Sequence, residues 1–144
     1  MKVESIREIA IAVDNLDEAI EDFRTKLGLE PGEPQSVAET QARFVSFRVG
    51  DCSIGLMEST NPDGPVARFI HKRGEGIYSI AMAVDSIDAA TEHLKSHGVS
   101  FGLPEPIVMR NEKVIDKVYS ECILNFTRPS SLHGVAFEIQ ELRD

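Results

Sequence analysis

Eleven residues near the N-terminus return 71 positions later. Ile9-Ala10-Ile11-Ala12-Val13-Asp14-Asn15-Leu16-Asp17-Glu18-Ala19 is answered by Ile80-Ala81-Met82-Ala83-Val84-Asp85-Ser86-Ile87-Asp88-Ala89-Ala90, with seven of the 11 positions identical. Gly28 and Gly98 extend the match after a one-residue gap. Agreement of that density in one window indicates a duplication, so the chain is expected to fold as two copies of one unit.

Each copy carries the same local physics. Ile9, Ile11 and Val13 alternate with Glu8, Ala10 and Ala12, the period of a strand with two unlike faces. Asn15 is placed to cap a helix, with Glu18 three residues on to complete a capping box. Leu16, Ala19, Ile20, Phe23 and Leu27 recur at helical spacing, and Gly28 supplies a left-handed stop. In the second copy Ser86 caps, Ile87, Ala90 and Leu94 form the stripe, and Gly98 ends it. Strand-like runs follow each helix: 43–49 and 52–58 around Gly50-Asp51 in the first half, then 113–119, 121–126 and 134–140 in the second. Between the copies, Asp63-Gly64-Pro65 opens a short helix over 66–72 that Gly74 closes. The expected fold is α+β: one domain over 1–144, with tandem βαβββ modules at 5–60 and 76–142 and a helical connector at 61–75. One helix on a one-sided sheet buries too little alone, so the two sheets are expected to pair, curved around a cleft.

Charge and composition remove whole classes of function. Fifteen Lys and Arg against 24 Asp and Glu leave a net charge of −9. A nucleic-acid scaffold or a basic membrane-surface protein needs the opposite field. No run approaches the ~18 apolar residues of a membrane span, and the opening residues lack a signal-peptide layout, so no membrane partner and a cytoplasmic location are expected. Cys52 and Cys122 stand far apart without a CxxC, which suggests neither a disulfide framework nor a zinc ribbon. There is no GxGxxG and no P-loop to hold a nucleotide cofactor.

The strand faces point to where a ligand would go. Glu8, Ala10 and Ala12 oppose the large residues of the first strand, and Ser79, Ala81 and Ala83 do so in its repeat. Near the C-terminus, Ala136, Glu138 and Gln140 oppose Val135, Phe137 and Ile139. Large apolar faces suit packing under helices, whereas small and polar faces leave room for a bound molecule. Small residues also occur where two sheets pack closely.

Duplicated βαβββ halves of this size resemble the vicinal oxygen chelate superfamily, which includes glyoxalase I, extradiol dioxygenases, antibiotic-resistance proteins and methylmalonyl-CoA epimerases. The opening unit 9–28, the connector and lead-in 61–77, and the stretch 125–135 most resemble the epimerase branch. The resemblance implies a divalent-metal site built from one residue on each of four strands, typically His, Gln or Glu, His and Glu. Here those positions hold Glu8, Gly55, Ser79 and Glu138. Two carboxylates and a hydroxyl are a poor transition-metal set, so no metal and no other cofactor is expected. A hard cation such as Mg²⁺, which keeps waters of its own, stays open.

The resemblance also implies that Glu8 and Glu138 face one another. Two such carboxylates would share a proton and could move one next to a carbonyl, which makes Glu138 and Glu8 the candidate catalytic residues. Ser79, Arg43, Arg128 and His133 are the candidate ligand-binding residues, with Arg43, Arg48 and Arg128 suited to a carboxylate or CoA phosphate. An arginine, Arg43 or Arg128, could instead neutralise the pair as a structural salt bridge. The expected activity is an isomerase, epimerase or lyase acting on a small acid or acyl-CoA, in a homodimer. The alternative is a metal-free small-molecule-binding protein of the antibiotic-resistance kind, and a glyoxalase I reading comes third. His93 and His97, four apart on a helix, could form a zinc pair but fit a solvated face better, and both cysteines read as small core residues.

Overall fold

The computed structural model describes residues 1–38, 40–114 and 116–144. Alternating strands and capped helices follow the repeat: β1 (Val3–Ala12), α1 (Leu16–Leu27), β2 (Gln35–Val37), β3 (Ala42–Val49), β4 (Cys52–Ser59), α2 (Pro65–Arg73), β5 (Gly76–Val84), α3 (Ile87–Ser96), β6 (Ile107–Val114), β7 (Lys117–Phe126) and β8 (Ala136–Arg143). The order is βαβββ, a helix, then βαβββ. The chain forms two compact units: residues 8–78, and residues 79–144 together with 1–7. The first seven residues join the second unit through Lys2, whose backbone exchanges hydrogen bonds with Asp85.

The first unit orders its strands β2-β3-β4-β1, with β1 parallel to β4 and the other pairs antiparallel. The second orders its own β6-β7-β8-β5, with β5 parallel to β8. The duplication therefore extends to topology: in each copy the strand before the helix closes against the last strand of its module.

Alternation decides what each sheet face buries. In the first unit, Val45, Phe47 and Leu56 with Val13 and Leu16 form a core onto which Ile11, Ile20 and Phe23 pack, so α1 covers that face. On the opposite face Ala12, Ala42 and Val66 pack with Met57, Phe69 and Tyr78. Helix α2 can lie there because Ala12 and Ala42 are small, so part of the small-residue face is ordinary close packing. In the second unit Val84, Ile87, Ala90, Phe101, Ile123 and Ile139 form the core under α3, joined by Met82, Leu94 and Phe137.

The helix ends fall where the residues place them. Asn15 accepts a hydrogen bond from the Glu18 amide at 3.0 Å and Ser86 one from the Ala89 amide at 3.2 Å. Gly28 ends α1 at φ 68°. The strands of the second module differ from the sequence expectation. Instead of separate runs at 113–119 and 121–126, β6 starts at Ile107 and β7 continues through Ser120, and the turn falls inside the first of those runs, where position 115 is outside the described residues. The polar stretch Arg110-Asn111-Glu112-Lys113 lies within β6, which ends the sheet order of its unit, pairs its backbone with β7 and adds an ion pair between Arg110 and Glu121 at 3.1 Å. The terminal strand of a sheet tolerates polar side chains on both faces.

Candidate functional site

Strand β8 carries the main candidate. Because Phe137 and Ile139 turn towards α3, Glu138 and Gln140 point to the other face of the sheet. Cross-strand register puts Ala81 beside Glu138 on one side and Phe126 on the other. Gln140 lies between Ala83 and Leu124 in the same way. Ser79, opposite Ala136, shares this face and is 3% exposed. The sequence-predicted residues Ser79 and Glu138 thus occupy one face of the second unit, with Ala81 beside the carboxylate.

The Gln140 amide nitrogen donates to Glu138 Oε1 at 2.8 Å. Cys122 is 2% exposed, and burial, reinforced by the negative charges of Glu138 and Glu112, pushes its thiol up to about 12. The thiol stays protonated at neutral pH, in keeping with a core residue and not a nucleophile. Burial also raises the Glu112 carboxyl above its ordinary value.

In the first unit, Glu8 is half-buried on the face opposite α1. Its Oε2 accepts hydrogen bonds from the hydroxyls of Ser46 and Ser53, each at 2.9 Å. Ser53 stands opposite Glu8 across β1 and β4, and Ser46 stands opposite Gly55 across β3 and β4. A methyl group added to Gly55 would lie 2.8 Å from Glu8 Oε1. The glycine is what lets the carboxylate lie flat over β4.

The remaining candidates occupy other surroundings. Arg43 pairs with Asp17 at 3.6 Å, beside α1, and its odd position on β3 places it with Val45 and Phe47 on the α1 face. Arg128 donates from Nε to the Phe101 carbonyl at 3.0 Å, and with Lys95 and Leu103 it lines an open cavity of about 510 Å³ in the second unit. His133 is exposed in the turn before β8 with φ 58°, a left-handed position that fits a turn residue. Arg48 donates from Nε to the Gly50 carbonyl at 3.1 Å. His97 caps α3, with Nδ1 2.8 Å from the His93 carbonyl oxygen, and both rings are exposed.

The four positions that the resemblance assigns to a metal site do not fit a transition metal. In the first unit, position 55 offers no donor atom, and the carboxylate of Glu8 fills the space where a side chain there would begin. One oxygen of Glu8 is already engaged by two hydroxyls. In the second unit, Ser79 offers a hydroxyl and Glu138 a carboxylate hydrogen-bonded to an amide. Among the described residues there is no group of three or more His, Cys, Asp or Glu side chains arranged to hold a metal ion.

Sequence reasoning placed Gln140 on the right face without giving it a task, and it passed over Ser46 and Ser53. Both serines were within reach of it. They are the fourth and second residues of the strand-like runs 43–49 and 52–58, whose apolar members Val45, Phe47, Ile54 and Leu56 mark the opposite face, so period-two counting assigns their hydroxyls to the side of Glu8.

The profile of the Glyoxalase/Bleomycin resistance protein/Dioxygenase superfamily matches residues 7–119. Ethylmalonyl-CoA/methylmalonyl-CoA epimerase of Cereibacter sphaeroides is 27% identical over 139 residues, which is 95% of this chain and 97% of that protein. Methylmalonyl-CoA epimerase of Mycobacterium tuberculosis superposes with a TM-score of 0.82 at 27% identity, covering 99% of this chain and 90% of that one. A variant of the Streptomyces coelicolor methylmalonyl-CoA epimerase, in complex with 2-nitronate-propionyl-CoA, gives a TM-score of 0.83 at 25% identity, covering 99% and 100%. These superpositions take in both modules, so the tandem βαβββ architecture expected from the repeat is that of the solved epimerases.

Proposed function

The chain belongs to the Glyoxalase/Bleomycin resistance protein/Dioxygenase superfamily, and from that premise we propose that it moves a proton on the carbon next to the carbonyl of a small acid or acyl-CoA, with Glu138 as the proton-transfer group. The observation that carries this reading is the setting of Glu138: a carboxylate turned away from the helix-covered core, flanked by Ala81, and hydrogen-bonded by Gln140. A base so held can take the α-proton while the C–H electron pair moves into the carbonyl as an enolate, and the return of a proton completes an exchange or an epimerisation. Glu8 is the second carboxylate of the proposal, fixed by Ser46 and Ser53. An acyl-CoA substrate is supported by the relatives whose names specify ethylmalonyl-CoA or methylmalonyl-CoA and by a solved neighbour that binds an acyl-CoA analogue. The proposal keeps Ser79, Arg128 and His133 as ligand contacts and retains the homodimer and cytoplasmic location. Arg43, paired beside α1, supports it least.

The test is wash-in of solvent deuterium at the α-carbon of methylmalonyl-CoA. Glu138→Gln keeps the shape and removes the base, so exchange is expected to fall by ~10²-fold or more. Unchanged exchange in that variant would refute the assignment. A second reading, a metal-free binding protein, is favoured by the small-residue walls Ala81 and Ala83 and by the misfit of the metal positions. Tight binding of an apolar compound without turnover, together with no exchange of any acyl-CoA or small acid, would establish it instead.

A further inference from the structure

Gln140 presents an imbalance that packing alone does not account for. Its side chain is nine-tenths buried, at 9% exposure, and its amide nitrogen donates to Glu138 Oε1 at 2.8 Å. Its amide oxygen, buried as well, has no hydrogen-bond partner among the described residues. Buried acceptors are almost always paired, and one that is not calls for a reason. The reason lies in the neighbour. In its role as base the Glu138 carboxylate accepts only, so the amide turns its NH₂ towards it, and the reverse orientation would set two oxygens against each other. Holding the carboxylate therefore leaves the amide oxygen without a partner. An apolar side chain of the same length would remove that cost, since Leu124 and Ala83 already flank the position.

We infer that Gln140 is a positioning residue for Glu138: it fixes the orientation of the carboxylate for proton transfer and gives up stability to do so. Selection for function over stability is the ordinary explanation of a local defect of this kind. The inference rests on the reading of Glu138 as the proton-transfer group, and it makes a claim that a structural role does not. Removing the amide should leave the fold as stable or more stable while damaging turnover.

The experiment is Gln140→Met, with Gln140→Leu as a second apolar replacement should the first fold poorly. Stability is read by urea unfolding and α-deuterium exchange is measured with methylmalonyl-CoA. The expected result is a urea midpoint at or above that of the unmodified chain, a kcat lowered by about tenfold or more, and a KM within about threefold, the split of a group that acts on the transition state. Full exchange activity in the variant, or a loss of activity that accompanies a clear loss of stability, would overturn the inference. Loss of exchange in Glu138→Gln alongside full activity in Gln140→Met would leave the proposed function standing and remove this inference alone. If the unmodified chain exchanges nothing, the proposed function fails, and crystal structures of the two forms then decide about Gln140. A Glu138 carboxylate that turns away in Gln140→Met supports positioning, and one that keeps its place refutes it.

Discussion

At the scale of single residues, the contact between Glu8 and Gly55 shows how one missing side chain redirects another. Glu8 lies across β4 only because position 55 has no Cβ, and the serine hydroxyls then hold it there at 2.9 Å. Gly55→Ala puts a methyl group 2.8 Å from a carboxylate oxygen, so Glu8 must swing away and lose those bonds. Each hydrogen bond to a charged group is worth about 1.5–3 kcal/mol, and alanine recovers about 0.5–1 kcal/mol of backbone entropy, so the net loss of the two bonds is expected near 2–5 kcal/mol. In a Glu8→Ala background the same methyl meets no carboxylate, and Gly55→Ala should become neutral or slightly stabilising. Urea unfolding of the four proteins measures the cycle, and additive effects would show that the two positions are uncoupled. The glycine was visible in the sequence as an absent ligand. What filled its place was not, because a carboxylate's rotamer is set by partners on two other strands.

At the scale of elements, the two modules share a device that comparison of the repeats does not reveal. The first backbone amide of α1, that of Leu16, donates to Glu58 Oε2 at 2.6 Å, and the first of α3, that of Ile87, donates to Glu141 Oε2 at 2.8 Å. Leu16 and Ile87 are 71 residues apart, but Glu58 and Glu141 are 83 apart, because the second module is longer. A fixed-offset search therefore finds the helix starts and misses the carboxylates that clamp them. Burial would raise the Glu141 carboxyl, but the Ile87 amide and the Arg143 guanidinium together outweigh it and hold the carboxyl below its ordinary value. A carboxyl lowered in the folded state adds stability above the ordinary carboxylate range and loses it as pH falls through the folded value. Glu141→Gln is thus expected to cost about 1 kcal/mol at pH 7, the scale of a helix cap. The gap from the unmodified chain should narrow as pH falls below about 4. Urea midpoints at the two pH values measure this, and an equal gap at both would refute the electrostatic part. Element existence was otherwise largely legible, since caps, stripes and alternation are local. The bounds of β6 and β7 were not, because the terminal strand of a sheet is specified by its neighbour's backbone and not by its own apolar residues.

At the scale of the whole molecule, the repeat fixes the architecture, while the residues that the resemblance assigns to a metal do not form a transition-metal set. The fold was legible because duplication writes the same strand, cap and stripe twice, and both copies close with the parallel pairing of their first and last strands. The site was legible only in part. Which residues occupy the four positions follows from the resemblance alone, but whether they can bind an ion depends on side-chain partners. The structure supplies those partners: two serines on Glu8, an amide on Glu138, and no donor at position 55. A transition-metal site needs at least three good donors, usually imidazole, thiolate or carboxylate, and these positions provide two carboxylates that already accept hydrogen bonds. The purified chain is therefore expected to carry well under one equivalent of zinc, cobalt, nickel or iron after dialysis, as measured by elemental analysis. Adding these ions should leave both the unfolding midpoint and α-proton exchange unchanged, because an ion that binds the folded state raises stability in proportion to its occupancy. Stoichiometric metal that survives dialysis and disappears in Glu138→Gln would overturn this account. It would show that the ligand set had been rebuilt around Glu138 and not abandoned.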